Sequence, residues 1–273
     1  MLAATCVRQY LMNILGFKKK KKAGKKIVMV TCYDAPSAAI VEKSKVDCIL
    51  VGDSVAMVVH GHPNTTLATM DMMVLHTEAV ARGNQSKFIV GDMPFLSYRL
   101  SLEDTLRNGG RLIQAGAHSI KLEGAEGNLT AIKHLVDSGI PVMGHLGLTP
   151  QSIHQLGGNK VQARSQELAD KLLSDALALE KAGAFCVVLE CVPSHVAQHV
   201  SQQLSVPTIG IGAGPETDGQ VLVWHDFLGL QNDFSPKFLK RYLNAEEQFI
   251  HALDQYALEV TRKQFPNLDA HCY

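Results

Sequence analysis

VDCILVGDS, Val46 to Ser54, is an apolar run with charge near its left edge that ends in Gly52, Asp53 and Ser54. It reads as a buried parallel strand whose last residues emerge at a working face. The design recurs along the chain. SKFIVGD ends at Asp92, SIKLEG holds Glu123, PVMGH ends at His145 and FCVVLE ends at Glu190. Unpaired charges are costly to bury, so core packing alone explains five such runs poorly. Strand ends converging on one pocket explain them better.

Working outward, KIVMVTCYD precedes these runs, and VPTIGIGAG and QVLVWHDF follow them, bringing the strands to eight. Between them, helical patterns span about Pro36 to Lys43, Met70 to Arg82, Leu102 to Ala115, Leu129 to Asp137, Gln166 to Lys181 and Pro193 to Leu204. Ser101 with Asp104 three residues on reads as a capping pair for the third of these. The alternation predicts an α/β fold, a (β/α)8 TIM barrel. An extra N-terminal helix, about Val7 to Leu15, and C-terminal helices, clearest over Ala245 to Arg262, flank it. The tail is expected to close the ring or to pack on a neighbour. One domain is expected over residues 1–273, with a barrel core of about 26–240, because no linker interrupts the pattern. An open doubly wound sheet is the alternative, but polar ends on strands two to six favour a closed ring over one switch point.

With 46 % apolar and 19 % charged residues, the 273-residue chain suits a globule with much buried surface and excludes disorder. Its zero net charge hides an asymmetry. Residues 1–26 hold eight basic side chains and no acidic one, which leaves the remainder at −8. A solvated turn is the plain reading of the lysine run at Lys18 to Lys22; contact with nucleic acid or anionic lipid, or an organellar targeting segment, are the alternatives. Six cysteines without a C-x-x-C pair point to a reducing compartment, taken as the cytoplasm. No apolar stretch marks a signal peptide or membrane span.

Asp53 and Asp92 end neighbouring staves, so their carboxylates would repel unless something neutralises them. Mg²⁺ does so with hard oxygen ligands, and Glu123 on the next strand can hold a metal-bound water. The plainer reading makes each Asp a cap for the loop or helix that follows. Lys121 and Glu123 share parity and face one side. Lys121 is either half of an internal ion pair with Glu123 or the cation that stabilises charge developing on a carbonyl oxygen. His145 serves as donor or proton carrier, or is satisfied structurally. Glu190, between CVVL and Cys191, has an apolar setting that suits a general base; the alternative is a carboxylate paired with a buried donor. Cys191 as a nucleophile has only His195 nearby in sequence, with nothing to fix the geometry. GIGAG, residues 210–214, is a phosphate-holding turn or simply a tight strand exit. From GLTPQSIHQLGGNKVQARS, nearly twenty residues without clear structure, a lid or binding loop is expected. Together these groups fit enolisation of a metal-chelated 2-oxo acid, with Glu190 removing the proton beside the carbonyl.

At these residues the chain resembles the ketopantoate hydroxymethyltransferase family. The matching strings TCYDAPSA, VGDS, GDMPFLSY, IKLEG, GHLGLTPQS, LGGNKVQ, LLSDALALEKAGA, VLECVP, IGIGAG and DGQVLVWHD are spread over residues 27–240. The resemblance implies an Mg²⁺-dependent barrel enzyme of pantothenate biosynthesis. Such an enzyme transfers a hydroxymethyl group from 5,10-methylenetetrahydrofolate to 3-methyl-2-oxobutanoate, giving 2-dehydropantoate. It implies that Asp53 and Asp92 bind the metal, that Glu123 supports it, that Ser54 and the backbone near Asp92 hold the substrate carboxylate, that Lys121 and His145 contact the oxo acid and that Glu190 is the base. Ring-stacked homodecamers are implied too. Asn159 stands where the family usually has Tyr, Ala163 where it has Gly and Ala68 where Pro is common. Two other readings are a folate-free Mg²⁺-dependent 2-oxo acid lyase and a non-catalytic barrel. Lyases of that kind carry a cysteine on a mobile loop, and residues 147–165 hold none.

Overall fold

Apolar runs of four to six residues, each bounded by a glycine or polar turn, build the strands. The computed structural model describes residues 12–231 and 235–273. Its strands are β1 (Ile27–Thr31), β2 (Cys48–Val51), β3 (Phe88–Asp92), β4 (Ser119–Glu123), β5 (Val142–Gly147), β6 (Cys186–Glu190), β7 (Thr208–Ile211) and β8 (Gly219–Leu222). They pair in parallel, each with the next, and β8 returns to β1 to close a barrel. The expected (β/α)8 architecture is therefore present, and the open sheet is excluded. Most strand residues are buried on both faces, as a parallel sheet wrapped by helices requires.

The helices are α1 (Ile14–Lys22), α2 (Ala35–Glu42), α3 (Val55–Val58), α4 (Met70–Gly83), α5 (Leu102–Gln114), α6 (Leu129–Asp137), α7 (Ile153–Leu156), α8 (Gln166–Lys181), α9 (Ser194–Gln203), α10 (Trp224–Phe227), α11 (Ala245–Thr261) and α12 (Leu268–His271). The capping pair is formed, since Asp104 N donates to Ser101 Oγ at 3.0 Å and Ser101 Oγ donates to Asp104 Oδ2 at 2.7 Å. No helix among the described residues is long and apolar enough to cross a membrane.

Three expectations change. The helix expected at Val7 to Leu15 begins outside the described residues, and the lysine run is not a turn but part of α1. Phe17 on that helix is fully buried, edge-on to Phe88 and Phe185 at centroid distances of 5.3 and 5.2 Å. Lys20 pairs with Asp47 at 2.6 Å and Lys21 with Asp218 at 2.8 Å, while Lys18, Lys19 and Lys22 are exposed. The eighth strand stops at Leu222, and WHDF folds into α10, so the strand ring ends well before residue 240. The tail is not what closes the ring, because β8 does that itself through Ile27↔Gly219 to Val30↔Leu222. By contacts the chain divides into two compact units, one up to Leu222 and one from Val223 to Tyr273. Within the second unit, Tyr242 N donates to Phe227 O at 2.8 Å and Ala245 N to Leu228 O at 3.0 Å.

Candidate active site

Strand register brings the ionisable groups together. Asp92 of β3 lies directly across from Lys121 of β4, and Glu123 lies across from His145 of β5. Gly147 at the end of β5 sits beside Glu190 at the end of β6. Lys121 and Glu123, two apart on one strand, face one side, as their parity requires. Asp53, Asp92, Lys121, Glu123 and His145 are all buried, each at most 5 % exposed. This set occupies the C-terminal ends of the strands, the face where barrel active sites sit.

The contacts form a chain across the mouth. Asp53 N donates to Asp92 Oδ2 at 3.2 Å. Lys121 Nζ lies 2.9 Å from Asp92 Oδ1, an ion pair, so its partner is Asp92 and not the expected Glu123. Lys121 Nζ is also 3.3 Å from His145 Nδ1. That nitrogen is 3.3 Å from Glu123 Oε1, and His145 Nε2 is 3.2 Å from Glu190 Oε2. Glu190 thus faces an imidazole where its sequence neighbours indicated an apolar wall, and its side chain remains 18 % exposed. Ser54 stands just before α3, its hydroxyl 2.8 Å from that of Tyr33.

Burial, joined by the charges of Asp92 and Glu123, pushes the Asp53 carboxyl well above its ordinary range against the opposing pull of Lys121 and Gln151. Burial raises Asp92 as well, with Lys121 only partly offsetting it. Burial alone would lower Lys121, but Asp92, Glu123 and Asp53 outweigh it and hold the ammonium form. Desolvation and Lys121 likewise oppose the charging of His145, yet Glu123 and Glu190 win and raise its pKa to about 9. Glu123 is lowered, because His145 and Lys121 outweigh its burial.

This donor set fits a hard divalent cation. Two adjoining buried carboxylates that resist ionising together, Asp53 N reaching Asp92 Oδ2 at 3.2 Å, are what such an ion relieves. Among the described residues no three His, Cys, Asp or Glu side chains form a group that could hold a metal ion jointly. Glu123 Oε2 accepts from Gln151 N at 3.0 Å.

Gln151 is the site residue that sequence reasoning missed. Its signal was GLTPQS, read there as part of an unstructured loop. Pro150–Ser152 instead forms a 3-10 turn running into α7, which Gly157 ends in the left-handed conformation at φ 67°. Burial and Glu190 push the Cys191 thiol up to about 11, away from the thiolate form that a nucleophile needs. In the glycine run after β7, Gly214 has no room for a side chain, because a Cβ there would clash with Ser194 Oγ. A groove of about 660 Å³ lined by Leu102, Leu129 and Lys133 among others contains none of the site residues.

Residues 12–268 match the family described as Ketopantoate hydroxymethyltransferase. A 3-methyl-2-oxobutanoate hydroxymethyltransferase of Legionella pneumophila (strain Paris) is 58 % identical over 256 residues, covering 93 % of this chain and 98 % of that protein. One of Coxiella burnetii (strain Dugway 5J108-111) is 56 % identical over 263 residues, covering 96 % and 99 %. Among solved structures, 2,3-dimethylmalate lyase, a PEP mutase/isocitrate lyase superfamily member, aligns with a TM-score of 0.60 at 16 % identity, covering 95 % of this chain and 91 % of that one. Phosphonopyruvate hydrolase in complex with oxalate and Mg²⁺ aligns with a TM-score of 0.60 at 11 % identity, covering 92 % and 87 %. At these identities the two structures show the fold alone.

Proposed function

Because this chain belongs to the ketopantoate hydroxymethyltransferase family, we propose that it transfers a hydroxymethyl group from 5,10-methylenetetrahydrofolate to 3-methyl-2-oxobutanoate, giving 2-dehydropantoate for pantothenate synthesis. The observation that carries this reading is one continuous array at the barrel mouth, Asp53, Asp92, Lys121, His145 and Glu190, linked by contacts of 2.9 to 3.3 Å.

Asp53 and Asp92 would hold Mg²⁺ directly, with Glu123 supporting it through water. When bound, the ion supplies Lewis acidity for a 2-oxo acid carbonyl. The remaining work falls to the chain. Glu190 is the base that takes the proton from the carbon beside the carbonyl. His145, its Nε2 3.2 Å from Glu190 Oε2, fixes that carboxylate in place. Lys121 keeps its charge at neutral pH and stabilises the oxygen on which negative charge develops. Ser54 holds the substrate carboxylate from the turn after β2. The five described cysteines are all unpaired, which suits a reducing compartment such as the cytoplasm. Phe249, Ile250 and Leu253 lie exposed on α11, which suits a homo-oligomer such as the family's decamer.

The test is a product assay by mass spectrometry with and without the folate donor. Gain of one hydroxymethyl group only with the donor is expected; a product formed equally without it would reject the transfer. Glu190→Gln separates the first step. Protein with Mg²⁺ should exchange the C3 proton of 3-methyl-2-oxobutanoate with solvent deuterium, and the variant should lose at least about 100-fold of that rate, the scale of general-base removal. Persisting exchange would remove Glu190 as the base.

A further inference from the structure

Each carboxylate of the acidic cluster has one oxygen committed to a hydrogen bond, and Gln151 makes two of the three commitments. Its Nε2 donates to Asp53 Oδ2 at 2.8 Å and its backbone N donates to Glu123 Oε2 at 3.0 Å. The third is Asp92 Oδ2, which accepts from Asp53 N. Of the opposite oxygens, Asp92 Oδ1 faces the Lys121 ammonium at 2.9 Å and Glu123 Oε1 faces His145 Nδ1 at 3.3 Å.

Gln151 itself is held on every side. It is 4 % exposed. The second Nε2 donor goes to Met93 O at 2.9 Å, and Oε1 accepts from Tyr98 OH at 2.6 Å. Tyr98 is pinned in turn, accepting from Glu123 N at 3.3 Å. With two acceptors facing the nitrogen and one donor facing the oxygen, the amide has a single satisfactory orientation. A 3-10 turn in the loop after β5 thus fixes two carboxylates that arrive on β2 and β4, 98 and 28 residues away in sequence.

We propose that Gln151 is the positioning residue of the cation site, choosing which oxygen of Asp53 is presented to the ion and which oxygen of Glu123 to its water, with Tyr98 holding the amide in register. The proposal deepens the Mg²⁺ reading and rests on it. An outer partner that orients a metal-binding carboxylate typically changes metal affinity by about 10–100-fold when removed. Gln151→Met keeps the length and the backbone N–H to Glu123 but frees Asp53, so Mg²⁺ affinity should fall by about 10–100-fold. Tyr98→Phe removes only the hydroxyl that orients the amide and should weaken binding by a smaller factor.

The measurement is Mg²⁺ titration of the substrate-free protein by calorimetry, with thermal melting of each variant as a check on folding. If wild-type protein takes up no Mg²⁺, the underlying metal reading fails. If it does and both folded variants bind with unchanged affinity, the Mg²⁺ reading stands and the proposal for Gln151 is overturned. A lowered melting temperature with unaltered Mg²⁺ affinity assigns Gln151 to stability alone and overturns it equally. Should Gln151→Met fail to fold, Tyr98→Phe decides, since an affinity equal to wild type in that variant refutes the orienting network.

Discussion

Glu190 shows how far a residue's surroundings can depart from its sequence neighbours. CVVL before it is apolar, yet the last residue of β6 meets His145 from β5, because a strand-end side chain is surrounded by adjoining staves and not by its own. Lys121 carries the same lesson, since its spacing to Glu123 was legible but its ion-pair partner, Asp92, lies across the strand pair. Ala163 adopts φ 54° and is buried, holding a left-handed backbone that glycine takes freely and alanine only with strain. Asp226 gives a residue-scale prediction. Burial raises its pKa to about 6, with Arg241 opposing only in part. The folded state therefore holds this proton over the window from about 3.9, the unfolded value, up to about 6. Stability falls as pH rises through that window and stays lower above it. Asp226→Asn should raise the melting temperature at pH 8 and leave it nearly unchanged at pH 4, and an equal shift at both would refute the burial penalty.

At the scale of elements, α1 was the least legible. A run of five lysines reads as solvent-facing, and three of them are. The helix turns Phe17 into the aromatic cluster with Phe88 and Phe185, while Lys21 reaches Asp218 and the carbonyl of Ser201. Composition cannot reveal this, because the partners come from β3, the start of β6 and the approach to β8. Phe17→Ala should cost about 3–5 kcal/mol in urea unfolding, the range for a large aromatic removed from a core. A loss under about 1 kcal/mol would mean that the aromatic cluster is dispensable. WHDF failed for a different reason, since a short apolar run does not distinguish strand from helix, and α10 is one turn long. By contrast α6 and α8 fall on the residues their apolar periodicity indicated, Leu129–Asp137 and Gln166–Lys181.

For the whole molecule, ring closure depends on one narrow seam. A Cβ on Gly219 would lie 2.4 Å from Ile27 O and 2.6 Å from Ile209 Cδ1, so β8 fits between β1 and β7 only with glycine there. Gly219→Ala should destabilise the barrel by about 3 kcal/mol through overpacking against backbone. Gly110→Ala, on α5 with nothing within 4 Å, should instead stabilise it by about 0.5–1 kcal/mol through helix propensity. Chemical denaturation of the pair checks both, and a neutral Gly219→Ala would show that the seam has slack.

The sequence by itself determined the alternation of eight apolar runs with helical segments, and hence the barrel, because burial periodicity is a local property. It also placed Asp53, Asp92, Lys121, Glu123, His145 and Glu190 at strand ends on one face. Only the tertiary structure decided who meets whom: Lys121 with Asp92, His145 between Glu123 and Glu190, and Gln151 across to Asp53. Those partners are set by register between neighbouring strands and by the fold-back of a loop, and neither is encoded in the spacing of residues along a single segment.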